Sequence, residues 1–335
     1  MNKKIVHFLT AIAIYTAFAG YLYQPYFRTL TPIQYLPIAA IILASTGCFV
    51  ISTRWVLYFA PSLIAGAVYG FGPLFLSLLR YHPTVSLLAA TIPWLFIPSV
   101  FGPKAKLQWL RIPLALLPFA AIILFFHLTA KMGLFAIPIN IRLHIKDLPS
   151  LILPLVMIKR RLIVIGIYHI PIAALIIGFS MMIKAKRFAV LLILIAAVIL
   201  SCVKPFLSVS PIIWSTIALL CCAVLSAEGF QGLICAGNAD KKWILTSSIV
   251  LMSLCLITII FIARCQNIFA GQGLQYARIF TYTAKIYILG AIAIAILFLI
   301  AHLNRRLHWL RWLLLIAPAA IDIFIGAKFI FDYVI

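Results

Sequence analysis

Acidic residues are almost absent from this sequence. Its 335 residues include five Asp or Glu against 27 Lys or Arg, which gives a formal net charge of +22 at pH 7. Charged residues amount to 10% of the chain and hydrophobic residues to 66%, whereas about 25% of a soluble domain is charged. Too few polar side chains exist to cover a soluble fold, which excludes a soluble enzyme, a disordered regulator and a disulfide-stapled secreted domain.

Several motifs of known chemistry are missing as well. The phosphate-binding pattern GxxxxGK[ST] does not occur, so the chain is not itself an ATPase, and neither HExxH nor GxSxG is present. The first 146 residues contain no acid, which excludes transferases whose N-terminal spans hold Mg²⁺-diphosphate with paired aspartates. The seven cysteines include no CxxC pair, and we predict no metal site, no cofactor and no disulfide framework.

Long apolar runs dominate the sequence. A transmembrane helix needs about 20 largely apolar residues, and eleven runs approach this length. We therefore predict an all-α polytopic integral membrane protein with about eleven transmembrane helices, between ten and twelve. Residues 1–335 form a single transmembrane domain, and the connections are too short for a soluble domain. The predicted spans are 5–23, 33–53, 55–79, 83–101, 112–130, 162–183, 188–203, 211–235, 243–263, 279–303 and 309–331.

Basic clusters between the spans predict the orientation. They lie where topology-setting charges meet anionic lipid headgroups, and they form no stripe with aromatics that would favour nucleic acid. With a cytoplasmic N-terminus, five of six clusters face the cytoplasm, and only Lys159-Arg160-Arg161 faces outward. We predict this orientation in a bacterial cytoplasmic membrane. Although Ala17-Phe18-Ala19 resembles a signal-peptide cleavage site, the first span is expected to remain as an uncleaved anchor.

Residues 132–161 form the one irregular stretch. From Ile139 to Lys146, polar residues alternate strictly with apolar ones: Asn140, Arg142, His144 and Lys146. This period-2 pattern predicts an extended interfacial element with its polar side chains on one edge. The alternative is a re-entrant element in which Leu148–Ile158 dips in as a half-helix beside a water-filled cavity. If Leu148–Ile158 crosses as a twelfth span instead, three basic clusters face each side, and eleven residues are short for a crossing.

Two sequence patterns bear on how the spans pack. A weak internal repeat relates 104–124 to 304–324, and within it 107–124 and 307–324 share eight of eighteen positions. Transporter folds are commonly built from repeats, although an interfacial Trp and Arg before each span would also follow from the aromatic belt and the positive-inside rule. In the third span, the spacing of Gly66 and Gly70 favours close helix contact, and Gly72-Pro73 predicts a helix break.

Asp322 is the clearest charged candidate, because it lies near the middle of the last predicted span. A charge at the bilayer centre costs at least about 2.5–3.5 kcal/mol and therefore needs a reason. We predict either a proton or cation site or a structural ion pair with Lys285, whose flexible stem could reach the depth of Asp322. His127 and His169 also fall within spans, and each is expected to be a hydrogen-bonded packing residue.

Two connections contain further candidate ligands. Glu228 closes the apolar run that begins near Pro211, and the glycine- and amide-rich turn predicted after it could bind a polar headgroup or pair with its own lysines. The predicted outer loop 264–278 is basic and contains no acid. Four basic residues are candidates for contacts with an anion or a headgroup: Arg142, Lys146, Arg264 and Arg278.

Three classes of function remain. The leading hypothesis is a transporter or permease for a small or lipid-like substrate, an anion being one option, with Asp322, Lys285 and Glu228 as substrate or ion-coupling candidates. The first alternative is a non-catalytic subunit that anchors or assembles a complex with other membrane subunits. The second is a lipid-modifying enzyme that acts at the outer face with Cys265 or a basic loop. We favour a role other than catalysis and assign no catalytic residue.

Overall fold

The chain folds as a bundle of α-helices. The computed structural model describes residues 3–26, 36–99, 111–134, 137–138, 140–151, 153, 158–159, 162–163, 165–184, 188–235, 241–270, 274–303 and 308–334. Within these residues the helices are α1 (Lys3–Tyr23), α2 (Leu36–Ser52), α3 (Phe59–Gly70), α4 (Pro73–Tyr81), α5 (Pro83–Phe96), α6 (Arg111–Ala115), α7 (Leu117–Lys131), α8 (His169–Lys184), α9 (Phe188–Cys202), α10 (Trp214–Cys235), α11 (Lys241–Ala270), α12 (Leu274–Leu303) and α13 (His308–Phe329). Two short strands, β1 (Ile158–Lys159) and β2 (Leu162–Ile163), pair antiparallel, and a π-helical turn (Ile330–Val334) follows α13.

The length and apolar character of these helices indicate a membrane protein. In the described part of the chain, five helical segments can cross a bilayer, and α3 with α4 makes a sixth if the bent pair is one span. Large apolar side chains also point outward: Leu192 is 66% exposed, Leu256 60% and Leu299 57%. Such surfaces are stable in hydrocarbon, whereas in water they would be an aggregation hazard. All eleven predicted spans overlap at least one helix, and a count of eleven crossings stays a prediction.

Helix α10 forms the centre of the bundle. It is buried along most of its length and packs against α2, α3, α8, α9 and α13, as expected for a helix that is apolar on every side. Its closest neighbour is α8, because Gly178 and Gly229 let the two backbones approach: a Cβ on either would overlap the backbone of the other helix. Gly229 and Gly232 therefore lie within α10, and the prediction of a turn directly after Glu228 is wrong.

Helices α3 and α4 form one bent segment. Their axes differ by 41°, and Pro73 is the first residue of α4, where its missing N–H costs no hydrogen bond. A Cβ at Gly66 would overlap the Tyr15 hydroxyl of α1, and one at Gly70 would overlap the Ser45 hydroxyl of α2. The close helix contact and the break predicted from these glycines are thus both confirmed.

The alternating segment is extended only over its first half. Ile141 is buried and Leu143 packs on the core, whereas Asn140 and His144 are exposed, so the alternation holds this far. A 3₁₀-helix begins at Ile145 and runs to Leu151, and Ile145 itself is 85% exposed. The prediction of a strand to Lys146 is wrong at its end, because a 3₁₀ turn replaces the period of two by a period of three.

Backbone hydrogen bonds tie the extended part to the ends of two helices. The Leu143 N–H donates to the Ser201 carbonyl near the end of α9 at 2.9 Å, and the Ile212 N–H, just before α10, donates to the Ile141 carbonyl at 3.1 Å. The Ser210 hydroxyl donates to the Pro138 carbonyl at 2.8 Å. Pro138 and residues 140–143 therefore lie at the same end of the bundle as residues 201–212.

The β1–β2 hairpin and the residues after it replace the start of a predicted span. The span 162–183 is helical only from His169, since β2 and the non-helical residues 165–168 precede it. The Ile163 N–H donates to the Ser77 hydroxyl of α4 at 3.2 Å, and Gly166 packs against Leu74. These contacts hold the segment against the bent α3–α4 pair and satisfy backbone groups that a helix would otherwise have satisfied internally.

Helices α11 and α12 form a long hairpin. Each has 30 residues, which corresponds to about 45 Å and exceeds the roughly 30 Å of a hydrocarbon core. The predicted loop 264–278 is therefore mostly helical, because α11 continues to Ala270 and α12 begins at Leu274. Residues 100–110 and 304–307 lie outside the described residues, so the repeat relating 104–124 to 304–324 stays a prediction.

Candidate functional site

A buried histidine–aspartate pair lies where α8, α12 and α13 meet. His169 is the first residue of α8, and Asp322 lies one turn after Pro318 in α13. The Nδ1 atom of His169 is 2.9 Å from Oδ1 of Asp322, although 153 positions separate the two residues, and both side chains are 0% exposed. A pair so far from water is stable only if its other polar atoms are also hydrogen-bonded.

Asp322 also caps the beginning of α8. The Ile170 N–H donates to Oδ2 of Asp322 at 2.9 Å. Because α8 starts within the bundle after a non-helical segment, its first N–H groups have no partner in their own helix. Pro171 removes one of these donors, and the Asp322 carboxylate takes up another. The partial positive charge at a helix start favours a carboxylate in this position.

Helix α12 supplies two hydroxyl groups to the pair. The Tyr282 hydroxyl donates to the backbone carbonyl of Asp322 at 2.8 Å and lies 3.1 Å from its Oδ1. Nε2 of His169 is 3.1 Å from the Thr283 hydroxyl, which itself donates to the Ile279 carbonyl at 2.9 Å. The edges of the Tyr282 and Tyr287 rings enclose the imidazole, with ring centroids 5.5 and 5.2 Å away. Both imidazole nitrogens and both carboxylate oxygens therefore have partners.

All hydrogen bonds of this network could form in either of two protonation states that differ by one proton. In the first, His169 Nδ1–H donates to an ionised Asp322, and Nε2 accepts the Thr283 hydroxyl. In the second, Nε2–H donates to Thr283, whose hydroxyl turns to the Ile279 carbonyl, and a further proton lies between Nδ1 and Asp322. Only the Thr283 hydroxyl must rotate between them. Each arrangement would leave every polar atom of the pair hydrogen-bonded.

Two interrupted helical segments meet beside this pair. The Tyr168 hydroxyl donates to the Phe71 carbonyl at 2.6 Å, which lies at the break between α3 and α4. A Cβ on Gly72 would lie 2.9 Å from the Gly166 carbonyl oxygen, and one on Gly326 would overlap the Tyr168 ring. Glycine is thus required where the break, the start of α8 and α13 touch. Interrupted helices that line a polar site are typical of membrane transporters.

A chamber of about 260 Å³ extends from this region to the end of the bundle that holds residues 140–143. Its wall is mostly apolar, and its polar lining residues are His144 just before the 3₁₀-helix, Asp147 within that helix and Ser215 of α10; the stretch before α8 contributes Gly166 and Ile167. Asp147 is 3% exposed, and its carboxylate accepts the His144 N–H at 2.7 Å. Ile167, which lines the chamber, precedes His169 of the buried pair by two residues in the chain.

The predicted partner of Asp322 is wrong. Lys285 is exposed on α12, whereas Thr283, two positions earlier and therefore on nearly the opposite face of the helix, is buried and contacts His169. His169 is the partner of Asp322 instead. The sequence around His169 gives no sign of this pairing, because its hydrogen-bond partners come from α12 and α13. The one signal was that His169 and Asp322 both fall within predicted spans, where a polar side chain needs a partner.

The other predicted site residues lie apart from one another. Glu228 is buried within α10 and not in a turn at the membrane face, because α10 continues to Cys235. Arg142 Nε donates to Nε2 of His144 at 3.3 Å, and Lys146 is exposed in the 3₁₀-helix. Arg278 lies on the first turns of α12, and Arg264 belongs to α11 instead of a loop, its side chain being outside the described residues.

Among the described residues no three His, Cys, Asp or Glu side chains come together as metal ligands. The groups that the described residues do bring together at this site are an imidazole, a carboxylate and two hydroxyls, which hydrogen-bond to one another. No protein-family model, no curated protein and no solved structure matches this chain.

Proposed function

We propose that this chain is a proton-coupled membrane transporter for a small organic anion. The observation that carries the proposal is the buried His169–Asp322 pair, whose hydrogen-bond partners Thr283 and Ile170 are placed so that two arrangements differing by one proton would both be satisfied. A purely structural pair needs only one such state. A coupling site needs both, because it must bind and release a proton while it remains buried.

The surroundings of the pair suit a conformational change. Asp322 holds the start of α8, and Tyr168 holds the break between α3 and α4 through the Phe71 carbonyl. Loss or gain of a proton changes the charge at the start of α8 and therefore the strength of its interaction with Asp322. Movement of α8 against the bent pair at Gly72 and Gly166 would then open or close the chamber. This coupling of proton binding to a hinge is the step that a proton-driven transporter requires.

The preference for an anion rests on the charges near the chamber. His144 lines the chamber, and Arg142 and Lys146 belong to the same segment of the chain, in which Asp147 is the one acid. A segment with this excess of basic residues raises the local concentration of anions. Co-transport of a proton with an anion also lowers the net charge that must cross the hydrocarbon.

We also propose eleven crossings with a cytoplasmic N-terminus. The bonds that join Ile141 to Ile212 and Leu143 to Ser201 support this topology over the twelve-span alternative. With twelve spans, residues 132–147 and 203–211 would lie on opposite sides of the membrane. With eleven, both lie outside.

Contacts at the other end of the bundle support the same alternation. The Tyr58 and Trp312 rings lie 4.9 Å apart, Cys235 Sγ is 3.9 Å from the Tyr58 hydroxyl, and Arg54 donates to the Ile97 carbonyl at 2.6 Å. The eleven-span topology places all of these connections on the side of the basic clusters, which the positive-inside rule assigns to the cytoplasm. Reporter fusions at 105, 160, 242 and 335 should accordingly read inside, outside, inside and outside.

Transport is tested in liposomes that contain the purified chain and an internal pH indicator. Small carboxylates, phosphate esters and sulfonates are added outside, one at a time, at acidic external pH. We expect at least one anion to acidify the interior with the wild type. Asp322→Asn should abolish this signal, because an amide cannot take up or release the proton.

The matched control is Asp332→Asn, which makes the same change at an exposed position beyond α13 and should transport like the wild type. Equal anion-driven acidification by the wild type and Asp322→Asn would contradict proton coupling through this pair. If no anion acidifies the interior and the chain instead copurifies with a defined membrane partner, the hypothesis of a non-catalytic subunit replaces the transporter.

A further inference from the structure

We infer that the chain binds one anionic phospholipid in a cleft between α1, α3 and α13. The cleft has a volume of about 510 Å³, and several of its lining residues, among them Ile14, Ala320 and Phe324, are exposed at the surface of the bundle. Its walls are almost entirely apolar and come from all three helices: Ile14, Phe18, Leu63, Ala67, Ala320 and Phe324. α1 and α13 are both long and apolar enough to cross a membrane. The occupant of such a space is an acyl chain, since no other apolar molecule is present at that depth in comparable amount.

A cation lies at one end of this cleft. Lys328 is exposed four residues after Phe324, and its ammonium group is 3.4 Å from the Tyr21 hydroxyl and 5.6 Å from the centre of the Tyr21 ring. Lys328 and Tyr21 both lie near the outer ends of their helices in the eleven-span topology. A lysine with its stem along apolar surface and its ammonium at the headgroup level is in position to bind a lipid phosphate.

Aromatic rings connect the cation to the depth of the cleft. The Tyr21 and Phe324 ring centroids are 5.3 Å apart, as are those of Phe18 and Phe324. Ala320 lies eight residues before Lys328, which is about 12 Å along a helix. A phosphate on Lys328 and an acyl chain that descends past Phe324 toward Ala320 would therefore follow one continuous wall.

Charge selects an anionic lipid over a zwitterionic one. In the described part of the chain Lys328 forms no ion pair, and Asp332, four positions later, lies beyond ion-pairing distance. Its ammonium group is therefore available to a phosphate. A phosphatidylcholine headgroup would bring its own quaternary ammonium close to Lys328, whereas phosphatidylglycerol brings a single negative charge and hydroxyl groups that can bond to Tyr21.

The test measures which lipid stays bound. The full-length chain is equilibrated in nanodiscs of equal parts phosphatidylglycerol and phosphatidylcholine, extracted in mild detergent, and analysed by native mass spectrometry for retained lipid. We expect one retained lipid, with phosphatidylglycerol favoured about fivefold, which is the effect of one basic residue at an anionic lipid surface. Lys328→Gln should bring this ratio close to one, and Lys328→Arg should preserve it.

A second variant separates the cleft from the charge. Ala320→Trp fills the cleft and should remove both lipids, whereas Ala295→Trp, at an exposed position of α12, should leave retention unchanged. Lys285→Gln, an exposed lysine remote from the cleft, is the control for Lys328→Gln. Size-exclusion chromatography confirms that each variant is folded. A fivefold ratio that survives Lys328→Gln, or lipid retained by Ala320→Trp, overturns the assignment, as does a wild type without preference.

Discussion

His169 and His127 lie in apolar helices of similar appearance but in opposite surroundings. His169 begins α8, is 0% exposed and contacts Asp322 and Thr283 through its two ring nitrogens. His127 lies in the middle of α7 and is exposed at the surface of the bundle. The difference shows that a polar residue in an apolar run acquires a role only through what other helices bring to it. Matched substitutions in the polar centre (His169, Thr283 and Asp322) and in α7 can therefore test this difference.

The largest expected effect is at Asp322. Asp322→Leu should lower the free energy of unfolding by about 4 kcal/mol, because it leaves the Ile170 N–H and His169 Nδ1 buried without partners, at about 1–3 kcal/mol each. Asp322→Asn should cost less than about 1 kcal/mol, since its amide can donate to Nδ1 and accept the Ile170 N–H. Unfolding by SDS titration in mixed micelles measures both. Equal stability of the two variants would show that Asp322 is not the cap of α8.

His169→Ala is expected to cost about 3 kcal/mol, from a cavity, two lost hydrogen bonds and a carboxylate that keeps one donor fewer. The matched change His127→Ala should stay within about 0.5 kcal/mol, as is usual for exposed positions. The same micelle titration compares them. Equal losses of unfolding free energy in the two variants would contradict the proposed difference between the polar centre and α7.

Substitutions at Thr283 test the contribution of one hydroxyl within the polar centre. Thr283→Val keeps the shape of the side chain but removes the hydroxyl beside His169 Nε2, and it should cost about 1–2 kcal/mol. Thr283→Ser keeps the hydroxyl and should recover most of that stability and all of the anion-driven acidification. Transport by Thr283→Val at the wild-type rate would indicate that the rotating hydroxyl is not part of proton exchange.

The smallest expected effect on stability is in the outer segment, where accessibility is the better measurement. In a cysteine-free background, Asn140→Cys, His144→Cys and Ile145→Cys should react with an aqueous thiol reagent. Ile141→Cys and Leu143→Cys should react slowly, because both residues face the core. Slow labelling of Ile145→Cys would restore the simple alternation and contradict the start of the 3₁₀-helix.

Local pattern predicted the parts of the fold that depend on neighbouring residues. Gly66, Gly70 and Pro73 predicted the close contact and the break, since glycine spacing and proline geometry act within one helix and its nearest neighbour. The period-2 pattern predicted the inward and outward residues from Asn140 to His144 and failed at Ile145. The end of α11 was misplaced because the polar residues 264–270 remain helical.

The amino-acid sequence by itself determined that this protein is helical and belongs in a membrane, because the scarcity of charge and the length of the apolar runs leave no other stable state. It also singled out Asp322 as a residue that needs a partner. Only the tertiary structure decided that this partner is His169 and not Lys285, with Thr283 and Ile170 completing the site. The physical reason is that hydrogen bonds between helices depend on which faces meet, and apolar faces of similar composition do not specify that pairing.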